Sequence, residues 1–213
     1  MTRKIFWEDP YQTTHQATVA TVNSAEVTVD STIFFAFSGG QEGDHGTIAG
    51  FPVLEARKDG LEIIYALPPD HGLKPGQMVT MAIDWSRRYR LMRLHFAAEL
   101  VLELFYQSLP GIKKIGAHIA PARARIDFAT PGNISPLLPE IAARANRIIT
   151  ADLEITSAFE DELTQRRYWE IAGFSRVPCG GTHPKRTGEI GPVSLKRDNI
   201  GRGKERVEIT LPS

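Results

Sequence analysis

The stretch RLMRLHFAAELVLEL, Arg90 to Leu104, constrains the fold more than any other part of the chain. It is rich in Leu, Ala, Met and Glu and meets no Gly or Pro before Pro110, so it reads as a helix. Leu91, Met92, Leu94, Ala97, Ala98, Leu100, Val101 and Leu102 leave it almost no polar face. Such a helix belongs in an interior, and the rest of the chain has to cover it. His95 and Glu99 fall one turn apart on a single face. A buried imidazole and carboxylate need partners. Either they bond to each other or to backbone, or a metal ion supplies the partner.

A second stretch bears on that choice. CGGTH, Cys179 to His183, holds the only cysteine of the 213 residues. A thiolate and an imidazole at this spacing on a Gly-rich turn can reach one metal ion from the same side. Two ligands do not close a zinc site, because three or four protein donors are needed. The helix offers the others, so the two stretches together favour a metal over a locally satisfied pair.

The single cysteine also rules out an internal disulfide and fits a reducing, cytoplasmic setting. No apolar run reaches membrane-span length, so no membrane partner is expected. MTRKIFWEDP has no apolar core of a secretory signal. The formal net charge is zero, yet it is unevenly placed. Residues 1–86 carry five Lys and Arg against eleven Asp and Glu, and residues 87–213 carry twenty against fourteen. A positive second half suggests a polyanionic partner. Arg87, Arg88, Arg123, Arg125, Lys185, Arg186, Arg202 and Lys204 are the candidate contacts.

The patterning changes along the chain. HQATVATV and AEVTVDSTIFF alternate, with a turn at Asn23-Ser24; GTIAGFPV, LEARKD, LEIIYALP and QMVTMAIDW follow as further short strands. Turn residues recur between them, which predicts a small β-barrel ending near Trp85. SGGQEGDHG, Ser38 to Gly46, lies within it. Gly39 and Gly40 serve either a tight turn or the close approach of a ligand, with Gln41 as polar reader. The spacing is not that of a P-loop. After the helix, 111–130 reads as β-rich, a helix starts at Ser135, and LEITSAF reads as a strand. DELTQRRYWE reads as a short helix, and GPVSLKRD and ERVEITL as two strands. Helices and strands without a βαβ rhythm give an α+β class. His15, His45, His71 and His118 read as surface or turn residues.

These motifs, in order, resemble the free-standing alanyl-tRNA editing proteins and the matching region of alanyl-tRNA synthetase. The family pairs a HxxxH helix with a CGGTH loop, here HFAAE (His95 to Glu99) and CGGTH. SGGQEGDHGTI, DWSRRYRLMRLH, ARIDFA, TGEIGPVSL (Thr187 to Leu195) and IGRGKERVE (Ile200 to Glu208) are similar to the family as well. The chain departs from the pattern at Glu99, where the family has His, and at Phe96, where it usually has Thr.

The resemblance implies a β-barrel domain over 1–86 and an editing domain of the threonyl/alanyl-tRNA synthetase type over 87–213. It implies hydrolysis of the ester of mischarged tRNA(Ala), seryl or glycyl, at a zinc ion. His95, Cys179 and His183 are then metal ligands, with Glu99 either a fourth ligand or a general base. Gln41 and Glu99 are the candidates for direct participation in catalysis. The partner is the aminoacylated acceptor end of tRNA(Ala). Two other readings stay open: a zinc-stabilised tRNA-binding module without hydrolysis, and a metal-free relic with Glu99 in a salt bridge.

Overall fold

The computed structural model describes residues 1–212. The chain is a mixed α+β protein with two compact units, Met1–Ser38 with Glu42–Tyr89, and Gly39–Gln41 with Arg90–Ser213.

The first unit is built of nine strands: β1 (Arg3–Lys4), β2 (Thr14–Asn23), β3 (Glu26–Val29), β4 (Ser31–Thr32), β5 (Gly46–Ile48), β6 (Phe51–Pro52), β7 (Glu55–Asp59), β8 (Glu62–Ala66) and β9 (Met78–Ile83). Seven of them form one sheet in the order β6-β5-β9-β2-β3-β8-β7. Period-two patterning sets which face turns inward. Val79, Met81 and Ile83 of β9 are buried between exposed or half-buried neighbours, and Ile63 and Tyr65 of β8 behave likewise. The first half of β2 pairs with β9 and the second half with β3, with a register shift between Val19 and Thr21. Ser24, in the expected turn, takes φ 55°.

The two edge strands β6 and β7 are separated only by Val53 and Leu54. Val53 N–H donates to Gly46 O and Leu54 N–H to Ala66 O, each at 2.9 Å. His71 departs from the surface reading: it is buried, its Nε2 3.0 Å from Ser24 O, and its Nδ1 accepts from Leu73 N–H.

The second unit holds most of α1 (Trp85–Ser108), then β10 (Lys113–Ile119), β11 (Ala124–Ala129), α2 (Leu138–Thr150), β12 (Thr156–Asp161), β13 (Arg166–Ile171), β14 (Ser175–Pro178), β15 (Ser194–Asn199) and β16 (Lys204–Thr210). SRRYR, read as a lead-in to the helix, is its first turns. Two antiparallel sheets form, ordered β10-β11-β16-β15 and β12-β13-β14. Helix α1 packs on both. Phe105 meets Phe128 of β11 with ring centroids 4.9 Å apart, and Phe96 meets Trp169 of β13 at 5.0 Å. Each such fully buried side chain contributes roughly 1.5–3 kcal/mol. The apolar helix is thus covered, as its sequence requires. Helix α2 presents Leu138, Ile141, Ala145 and Ile149 inward at helical spacing.

One element differs from its sequence reading. DELTQRRYWE is not a helix: residues 162–165 turn, with Gln165 at φ 56°, and Arg166–Ile171 is the central strand of the three-stranded sheet. Its inward positions are Arg167, Trp169 and Ile171, a period of two. Among the described residues, no helix is long and apolar enough to cross a membrane.

Candidate metal centre

Helix α1 fixes the first part of the site. His95 and Glu99, at i and i+4, put Glu99 Oε1 3.5 Å from His95 Nε2. The ladder of β13 and β14 fixes the second. Cys179 N–H donates to Arg167 O at 2.9 Å, so the strand pairing runs on into the motif. Cys179 Sγ then lies 3.4 Å from His95 Nε2. Beyond the loop, Glu189 Oε1 accepts from the N–H groups of Lys185 and Arg186, which pins the chain as it leaves His183.

Gly181 is a matter of space. A Cβ there would lie 1.9 Å from His95 Cε1 and 2.4 Å from Nδ1. Real Cβ atoms never approach so closely, so the second glycine of CGGTH is what lets the imidazole pass over the loop. Gly40 plays a comparable part. At φ +88° it lies against β10, where a Cβ would be 2.5 Å from Ala117 O, and its carbonyl accepts from Ile119 N–H. The tight-turn reading of the Gly39-Gly40 pair holds, with both residues in a turn at φ 61° and 88°, and the close approach at Gly40 is to the protein's own strand. It carries Gln41 inward to full burial.

Gln41 Oε1 accepts a very short hydrogen bond from His95 Nδ1, and its Nε2 donates to Thr182 Oγ1 at 3.1 Å. Its role in the structure is therefore to orient His95. With Nδ1 donating to Gln41, Nε2 is the ring nitrogen that faces Cys179 and Glu99. His183 is held the same way. Its Nδ1 is 2.9 Å from Ser157 Oγ, while its buried Nε2 has no hydrogen-bond partner. Ser157 and Trp169 are register partners on β12 and β13, and Trp169 Nε1 donates to Glu99 Oε2 at 3.1 Å. Phe96 is fully buried, 5.0 Å from Trp169 and 5.5 Å from His183 by ring centroids.

The donor atoms of His95, Cys179 and His183 all lie within 4.8 Å of one another. Glu99 is not in that set. It stands beside it, through His95. Burial pushes the Cys179 thiol up, but His95 and His183 outweigh it and bring it down to about 6. Burial opposes a charged His95 as well, yet Cys179 and Glu99 raise it well above the ordinary imidazole range. Burial also opposes the Glu99 carboxylate, but His95 and Trp169 hold it far below its usual range. One thiol of lowered pKa and two imidazoles thus converge, with the Glu99 carboxylate beside them at His95. A buried ring nitrogen without a partner costs desolvation energy unless something meets it. A soft-to-borderline divalent ion fits this donor set. Ser157 and Trp169, which complete it, carry no motif in the sequence. Only the alternation of RRYWEI could have put Trp169 on an inward face.

A model of the second additional domain of threonyl and alanyl tRNA synthetases matches residues 167–208, which include Cys179 and His183. An alanyl-tRNA editing protein, AlaX-M, of Pyrococcus horikoshii is 34% identical over 99% of this chain and 98% of its own length. The chain belongs to the alanyl-tRNA editing proteins. The AlaX-M editing protein of Saccharolobus solfataricus is 32% identical over 99% of both chains. An alanine–tRNA ligase of Ignicoccus hospitalis is 33% identical over 97% of this chain, which spans 26% of the ligase. As an editing protein the chain departs from the family's HxxxH pattern at Glu99, the one residue of the centre whose donor stands aside from the other three.

The structure sorts the expected cations. Arg88 is fully buried. It donates to Asp44 through Nε and Nη2 and to Pro10 O through Nη1 at 2.9 Å, so it meets no external partner. Arg87 is paired with Glu42, Arg123 with Glu208, Arg125 with Asp127 and Arg186 with Asp152. Lys185, Arg202 and Lys204 are exposed.

Proposed function

We propose that this protein is a trans-editing aminoacyl-tRNA deacylase that removes seryl or glycyl groups from mischarged tRNA(Ala) at a zinc ion. The observation that carries the reading is the convergence of His95, Cys179 and His183, with the buried Nε2 of His183 making no hydrogen bond. The relatives' names supply the substrate: they are alanyl-tRNA editing proteins. In this reading residues 1–86 form a small β-barrel. The two-residue step between its edge strands β6 and β7 supports closure. Residues 87–213 form the editing domain.

His95 Nε2, Cys179 Sγ and His183 Nε2 would hold the ion. Zinc, when bound, polarises an ester carbonyl and acidifies a water molecule. The chain's own groups do the rest. Gln41 sets the tautomer of His95 and Ser157 orients the ring of His183, so neither ring has to reorganise. Trp169 holds one carboxylate oxygen of Glu99 and leaves Oε1 turned to the centre. That oxygen either completes the ligand set or takes the proton of the attacking water. Its place on the helix face shared with His95 favours ligation. Phe96 and Trp169 keep water from the inner side of the centre.

Deacylation of seryl-, glycyl- and alanyl-tRNA(Ala) at equal concentrations tests the reading, together with metal analysis. About one zinc per chain is expected, with release of the wrong amino acids and sparing of alanine. Bound zinc without any deacylation would leave only a tRNA-binding module. Glu99→Gln separates its two roles: as a ligand it weakens zinc retention, whereas full zinc with lost activity makes Glu99 the base.

A further inference from the structure

The outer face of the four-stranded sheet carries a second feature. Register pairing places residues on one face of the sheet in cross-strand rows. Ile126, Phe128, Val207 and Ile209 point to the core. The opposite face holds three rows: His118–Arg125–Glu208–Lys196, Gly116–Asp127–Arg206–Asp198, and Lys113–Ala129–Lys204. In the first two, carboxylates pin the guanidinium groups: Asp127 binds both Arg125 and Arg206, and Glu208 meets Arg123. The third row has no carboxylate. Arg202 adjoins it on the turn from β15 to β16, where Thr130 N–H donates to Gly203 O. Lys113, Arg202 and Lys204 are all exposed, and none has an ion pair among the described residues.

The distance from the metal centre is set by two elements. Ser108, at the end of α1, is thirteen residues from His95, or about 20 Å at 1.5 Å per residue. Along β10, Lys113 is six residues from Ile119, which pairs with the inward-turned Gln41, again about 20 Å at 3.3 Å per residue. Cations this far from His95 do not touch an ester held there. They face whatever stretch of the same polyanion lies beyond its reactive end.

We propose that this end of the sheet, Lys113, Lys204 and Arg202, is the surface that receives the phosphate backbone of the tRNA acceptor stem. The proposal rests on the deacylase reading for its partner. It replaces most of the cations that sequence alone put forward: those are held by carboxylates, and these are not. Three exposed cations without ion pairs at this end of the sheet suit a row of phosphates, which positions a nucleic acid without reading its sequence.

The test is binding of uncharged tRNA(Ala) as a function of salt. Each phosphate contact contributes about 0.9 to the slope of log K against log salt. Lys113→Ala/Lys204→Ala should flatten the slope by about 1.8, so that from about 50 to 200 mM salt the variant loses roughly 12-fold less affinity than the parent. Adding Arg202→Ala should flatten it by about 0.9 more. The control is Lys58→Ala/Lys74→Ala in the other unit, which removes equal charge. An unchanged slope in the first pair, or equal flattening in the control, would overturn the surface. Uncharged tRNA asks for no hydrolysis, so the outcomes separate. Parent protein that binds with the expected slope but cleaves no ester would reject the deacylase reading and leave the surface standing.

Discussion

Gly181→Ala tests the centre through a single methyl group. The new Cβ would start 1.9 Å from His95 Cε1, 2.4 Å from Nδ1 and 3.1 Å from Nε2. Carbon atoms in contact rest about 3.5–4.0 Å apart, so the ring or the loop has to retreat by roughly 1.5–2 Å. The ring has no slack. It is held by Gln41 at Nδ1 and stands 3.4 Å from Cys179 Sγ at Nε2, so such a shift breaks both. Overpacking of this kind costs about 1–3 kcal/mol of stability. A misplacement of about 1 Å at a reacting centre lowers the rate on the order of 100-fold. The expected result is a folded protein with weakened zinc binding in chelator competition and deacylation down at least about 100-fold. Gly132→Ala is the matched control, since no heavy atom lies within 4 Å of its Cβ position. Gly181→Ala with unchanged metal affinity and rate would refute the argument.

Three further outcomes follow from the same contacts. Gln41→Leu removes the acceptor on His95 Nδ1 and should cost about 10–100-fold in zinc affinity, read by chelator competition; parental affinity would show that the tautomer needs no support. Arg88→Met leaves the Asp44 carboxylate buried without its cation and should cost about 3–5 kcal/mol in urea denaturation, with Asp44→Ala/Arg88→Met recovering part of it. A loss under about 1 kcal/mol would mean that the pair is not desolvated as its burial indicates. Burial works against the Asp127 carboxylate, yet Arg206 and Arg125 hold it below the usual range. A lowered folded value adds stability that is present above about pH 4 and is lost as pH falls through the folded value. The stability gap between the parent and Asp127→Asn should therefore be flat above that pH and close below it; a gap that persists in acid would contradict the pairing.

What the sequence determined is what depends on near neighbours. The helix around His95 was legible because no Gly or Pro interrupts its apolar run, and His95 and Glu99 share a face by helical spacing alone. Cys179 and His183 were legible because they sit within one five-residue turn. The alternating strands of residues 14–83 were legible by their period. Tertiary structure decided the rest, because it depends on residues far apart in the chain. Gln41 reaches His95 from 54 positions away, and Arg88 is buried by Asp44, 44 positions away. No local pattern distinguishes Arg88 from an exposed arginine. Arg166–Ile171 became a strand because two neighbouring strands offered it hydrogen bonds on both sides, a gain that local composition does not record. The unpaired cations are of the same kind: Lys113 and Lys204 lie 91 positions apart in sequence and meet across Ala129 only when three strands are in register.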